Sequence, residues 1–130
     1  MNKPINFELA KLLKEKGFDT KVNCAYVDTT PFSEIKNDLT EYVAKQNHNQ
    51  KEHRYSAPTI AEVVMWLYDK HELWTNVMYM GFELKYSWSV DIITTSGSNW
   101  DSYGEEDDIF YNSPTEAYLA AIEYSLNNLI

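Results

Sequence analysis

This sequence is short of cysteine, of glycine and, over its second half, of basic residues. Each shortage removes a class of function. The single cysteine, Cys24, closes no internal disulfide and gives no sign of an oxidising compartment. Four glycines in 130 residues leave no Gly-rich phosphate loop and no dinucleotide fingerprint. No apolar run approaches the roughly 20 residues that a membrane-spanning helix needs, so no membrane association is expected. The N-terminal Met-Asn-Lys-Pro-Ile-Asn-Phe-Glu has no apolar h-region, so no signal peptide is expected and the cytoplasm is the expected location. Residues 1–55 carry nine Lys/Arg and eight Asp/Glu, whereas residues 56–130 carry two Lys/Arg, Lys70 and Lys85, against twelve Asp/Glu, a net charge of −10. Nucleic-acid affinity comes largely from Lys and Arg neutralising phosphates, so no direct nucleic-acid binding is expected. Such a surface keeps a protein soluble, or attracts a basic partner, or mimics nucleic acid.

What is present is apolar and aromatic. Hydrophobic residues make up 44% of the chain and aromatics 15%, which argues against disorder and for a single domain spanning 1–130. The chain is organised around residues 57–71. Thr59 with Glu62 three positions on is a capping box, and Pro58 holds the preceding residue extended. Ile60, Val63, Val64 and Leu67 form one stripe at helical spacing, and Ala61, Met65 and Tyr68 a second, with Trp66 outside both. A helix apolar on both stripes is expected to be buried on more than one side, between a sheet and another helix.

Before it, the spacing predicts a helix over about 6–16. Asn6 caps it, and Leu9, Leu12 and Leu13 form its apolar face. Lys11, Lys14 and Lys16 are solvated, and Gly17 and Phe18 make a Schellman ending. Residues 20–27 read as a short strand with Val22, Cys24 and Tyr26 on one face. Residues 33–45 read as a second helix capped by Ser33, with Ile35, Leu39, Tyr42 and Val43 at helical spacing. Residues 46–56 have no apolar period and read as an exposed loop.

After it, a strand over about 73–80 is apolar on both faces, and Gly81-Phe82 turns into a second. There Leu84, Tyr86, Trp88, Val90 and Ile92 alternate with polar residues, the pattern of an antiparallel sheet with one wet face. Residues 94–107 read as a long polar loop and 108–111 as a third strand. A last helix starts at Pro114, capped by Ser113 with Glu116 completing a second capping box. Leu119, Ile122, Leu126 and Leu129 are its expected core face. The fold class is therefore α+β: a small three-stranded antiparallel sheet with helices packed on one face, in α-β-β-β-α order, preceded by an N-terminal helix. That order is shared with double-stranded RNA-binding domains. Those domains need basic residues to cross the grooves, and two lysines do not supply them.

Candidate chemistry is sparse. His71-Glu72 opens like a zinc-protease motif, but position 75 is Thr and no second histidine follows. His48, Glu52 and His53, even with Cys24, match no common metal spacing and read as solvated loop residues. The acidic loop from Asn99 fails the calcium-loop pattern, since Tyr103 and Phe110 fall on ligand positions. No catalytic residue, metal ligand or cofactor is expected. Trp100 and Tyr103 are the interface candidates, as aromatic anchors in a polar loop, with Asp101, Glu105 and Glu106 around them. The alternative for the two rings is to fold back over the sheet edge.

Three blocks carry a resemblance: residues 5–18, 56–74 and 112–130, including Pro-Thr-Ile-Ala-Glu-Val-Val-Met-Trp-Leu-Tyr-Asp-Lys-His-Glu-Leu-Trp and Asn-Ser-Pro-Thr-Glu-Ala-Tyr. Together they resemble a family of small proteins of Bacteroides genomes and their prophages or mobile elements. The resemblance implies a small cytosolic protein and carries no functional residue with it. The expected function is a non-enzymatic interaction module whose acidic C-terminal surface meets a basic protein. The alternative is a small-ligand binder or enzyme with an unfamiliar site.

Overall fold

In the computed structural model, residues 2–28, 37–81, 83–93, 102–104 and 109–130 are described. The fold is α+β, and the chain divides into two compact units, Met1–Glu62 and Val63–Ile130.

The first unit opens on helix α1, Phe7–Glu15, whose start and stop are both written locally. The Asn6 side chain accepts from the Leu9 N–H at 2.9 Å. At the other end Gly17 takes φ +87°, the Phe18 N–H donates to the Leu13 carbonyl and the Gly17 N–H to the Lys14 carbonyl. This is the expected Schellman ending, and Leu13 and Phe18 are both buried beneath it.

Three antiparallel strands follow: β1 (Val22–Asp28), β2 (Asn37–Gln46) and β3 (Arg54–Ser56), in the order β2-β1-β3. This sheet corrects the sequence reading in three places. Residues 37–46 are a strand, where a helix over 33–45 is predicted; Ser33 and Ile35 lie outside the described residues. The helical spacing of Leu39, Tyr42 and Val43 did not mark a buried face, since Leu39 is 45% and Val43 105% exposed. Pairing with β1 decides the conformation there, as tertiary context routinely does for β-branched and aromatic positions. Residues 46–56, predicted as a solvated loop, form a 3-10 turn at His48–Gln50 and the strand β3. The predicted strand over 20–27 is present, but its faces differ. The register with β2 shifts between Val22 and Cys24, where residues 42–45 of β2 stand against Asn23 alone, and Val22 and Ala25 are the buried pair.

Helix α2, Ile60–His71, begins on the predicted capping box. The Glu62 N–H donates to Thr59 Oγ1 at 3.3 Å, and the Thr59 N–H donates to Glu62 Oε1 at 3.0 Å. Its burial is one-sided. Ile60, Val63, Trp66 and Leu67 are buried, whereas Ala61, Met65 and Tyr68 are exposed. The second apolar stripe is therefore a surface, and Trp66 belongs to the core.

In the second unit β4 (Leu73–Met80), β5 (Lys85–Ile92) and β6 (Ser102–Gly104) form an antiparallel sheet in that order. Helix α3, Pro114–Asn128, packs on β4 and β5. Its side faces Trp88 and Tyr103 through Tyr124, with ring centroids 5.1 and 6.1 Å apart. The predicted order α-β-β-β-α holds, but the third strand lies at 102–104 and not at 108–111. Tyr111 instead makes a single two-way bridge with Tyr86. Leu84 leaves the predicted alternation: it sits in the β4–β5 turn at φ +54°, exposed. The core face of α3 is built from Ala117, Ala121, Ile122, Ser125 and Leu126, with Leu119 and Leu129 half-buried. Small residues there allow the helix to approach the sheet closely.

Candidate binding surfaces

Of the interface candidates, Tyr103 is described and Trp100, Asp101, Glu105 and Glu106 lie outside the described residues. Tyr103 sits on β6 opposite Val90, half-buried, with its ring toward Tyr124. It is a sheet residue that folds over the core, the second of the two positions open to it.

A different aromatic group is presented to solvent. On β4, Trp74 and Met78 share one face, and both are exposed. Tyr68, near the end of α2, meets Trp74 edge to face at 5.6 Å. Beside them the Asn76 amide donates to Asp91 Oδ2 at 2.9 Å across the strand pair. The sequence signal for this surface was the double-sided apolar pattern of 73–80, which a two-layer core does not require.

In the first unit, a cleft of about 440 Å³ lies over the β1–β2 pair and the start of α2. Its polar lining comes from Asn2, Asn23, Cys24, Glu41, Thr59 and Glu62, its apolar lining from Pro4, Leu39 and Ala57. Burial pushes the Cys24 thiol up, and the Glu41 and Glu62 carboxylates push it further the same way. A thiol held protonated is a poor nucleophile, so the cleft offers hydrogen-bonding and negative charge rather than attack. Glu62 is also committed to the helix cap.

His48, read from sequence as a solvated loop residue, is fully buried. Its Nε2–H donates to the Val22 carbonyl at 3.2 Å, because a carbonyl can only accept. The ring lies against Tyr42, whose other contact is the Arg54 guanidinium 4.8 Å from its centroid. Lys14, read as solvated, sends Nζ to the carbonyls of Lys51, Glu52 and Arg54 at 2.8–3.3 Å and lies over the Tyr55 ring. These residues close the 3-10 turn against α1. Among the described residues no three His, Cys, Asp or Glu side chains come together as a metal site, and no helix is long and apolar enough to cross a membrane.

The class defined by fold and surface is thus an acidic α+β chain with a polar cleft and an exposed aromatic sheet face. No protein-family model matches the chain, and neither a curated protein nor a solved structure does.

Proposed function

We propose that the chain is a non-enzymatic interaction module whose acidic C-terminal half binds a basic protein. The observation that supports this most is the exposed Tyr68–Trp74–Met78 group on a unit whose only basic residues are Lys70 and Lys85. Aromatic and thioether side chains supply contact area with adaptable packing, and the surrounding acid selects the charge of the partner. Trp100, Asp101, Glu105 and Glu106 are proposed as further contact residues on the sequence alone. Action in the cytoplasm, and an origin in a phage or mobile element, are parts of the proposal that rest on the sequence alone. The test is affinity capture from nuclease-treated host lysate at low and moderate salt, read by mass spectrometry. A single basic protein enriched at low salt and lost at moderate salt is the expected result. No specific partner at either salt sinks the proposal.

The cleft of the first unit favours a second reading, a binder of a small cationic molecule. Two carboxylates, two amides and a hydroxyl line it. A screen of small amines by thermal shift should then find a ligand whose effect disappears in Glu41→Gln.

A further inference from the structure

We infer that the outer edge of β4 is the docking site, and that its occupant is an extended basic segment of a partner protein, added as a fourth strand to the sheet. This rests on the interaction reading above and names its site and mode. The backbone directions follow from two hydrogen bonds. Tyr86 exchanges both of its backbone bonds with Tyr111, on the side of β5 away from β4. Alternation along β5 then turns Lys85, Ser87, Ser89 and Asp91 toward β4, onto Met80, Met78, Asn76 and Trp74. The bond from the Ile93 N–H to the Glu72 carbonyl has the same parity. The N–H and C=O groups of Leu73, Thr75, Val77 and Tyr79 therefore point outward, and among the described residues no strand pairs with them.

Edges of this kind are normally blunted by charge, proline, a bulge or shortness. β3 and β6 have three residues each. β2 is long, but it carries Asp38, Glu41 and Lys45, and its own register with β1 is broken over residues 42–45. β4 has eight residues, Leu-Trp-Thr-Asn-Val-Met-Tyr-Met, with no charge and no proline, and its register with β5 is unbroken. It also exposes Trp74 (38%), Met78 (53%) and Tyr79 (55%) to pack against alternate side chains of an added strand. Charge selects the occupant. Residues 63–130 hold two lysines against eleven Asp and Glu; near the two ends of β4, Asp69, Glu72 and Glu83 are exposed together with Lys70 and Lys85, a local balance that is still acidic. A second copy would bring the same charge to the same edge, whereas a basic strand is attracted.

The probe is a peptide of about ten alternating Lys and Val residues, long enough to lie along the strand, with a Lys-Pro alternate of equal charge as control. Binding is followed by amide NMR and hydrogen exchange on the intact chain. The Lys-Val peptide should protect the N–H groups of Leu73, Thr75, Val77 and Tyr79, and the Lys-Pro peptide should not. Val77→Pro removes one outward donor while leaving the bonds to β5, and should weaken binding about tenfold, the worth of one backbone hydrogen bond. Tyr79→Lys, which adds an opposing charge at an exposed position, should weaken it while keeping the fold. Binding without protection at those four amides overturns the strand site and leaves the interaction reading standing. No binding of either peptide overturns both. Concentration-dependent self-association that protects the same amides assigns the edge to a second copy and overturns the basic occupant.

Discussion

His48 shows how much one buried ring can make of its protonation state. With Nε2–H donating to the Val22 carbonyl, the neutral ring leaves Nδ1 as a bare nitrogen, and it has no hydrogen-bond partner among the described residues. Protonation would bury an N–H without an acceptor. Burial is the main cause that lowers its pKa, the Val22 hydrogen bond opposes this, and the Arg54 and Lys51 charges add to the lowering. The unfolded chain takes up the proton first as the pH falls. Stability is therefore full above the usual histidine range and declines as the pH drops through and below it. Urea midpoints at about pH 7.5 and 5.5 should differ more for the native chain than for His48→Phe, which removes the titration. Lys14 is the second such residue. Lys14→Met keeps the stem over Tyr55 and loses three bonds to carbonyls. Two of the three are exposed to water, so the expected cost is about 1–2 kcal/mol in a denaturant titration. Cys24 gives a chemical readout: with its thiol pushed up by burial and by Glu41 and Glu62, alkylation at neutral pH should be slower than for a free thiol and faster in Glu41→Gln.

At the scale of elements, the turns that close them carry the local strain. Gly17 holds φ +87° with nothing near the position of an added Cβ, so Gly17→Ala is opposed by backbone strain alone. The connection from α2 to β4 needs the same left-handed region in one residue, and Glu72 occupies it at φ +56°. An L-residue there costs roughly 1–2 kcal/mol, and a carboxylate at a helix C-terminus is also unfavourable. Glu72→Gly is expected to raise stability by about 1 kcal/mol, and Gly17→Ala to lower it by a similar amount, both read from thermal or denaturant unfolding. The capping boxes were legible from sequence because they act over three residues. In the second box the return bond goes one residue further back than the pattern suggests, from the Asn112 N–H to Glu116 Oε2.

Over the whole molecule the distribution of charge is the dominant feature. A net charge of −9, concentrated in the second half, works against the folded state through self-repulsion. Screening weakens that repulsion between charges more than about 8 Å apart at physiological ionic strength. The unfolding midpoint should therefore rise between about 10 mM and 150 mM salt, the range over which the Debye length shrinks most. A midpoint that falls instead would mean that attractive pairs outweigh the repulsion. The two halves were also unequally legible. In residues 59–130 the order of elements was readable. In residues 20–56 one strand of the sheet was read and its two partners were missed, because the longest strand, β2, has exposed apolar residues and the last, β3, is three residues long. Periodicity reports burial, and a strand at an edge buries too little to write it.

The sequence by itself determined the helix ends, the alternating strand at 85–92, the α+β class and the acidic second half. Each depends on neighbours a few residues away or on composition. Tertiary structure alone decided that 37–46 is a strand, that His48 and Lys14 are held inside the first unit, and that Tyr103 lies in a sheet while Trp74 and Met78 do not enter the core. Those outcomes depend on partners distant in the chain: β1 for β2, the Val22 carbonyl for His48, and helix α3, which packs on β4 and β5. No local pattern records which face of an apolar strand receives the helix, so the exposed edge and face of β4 became visible only once the sheet was assembled.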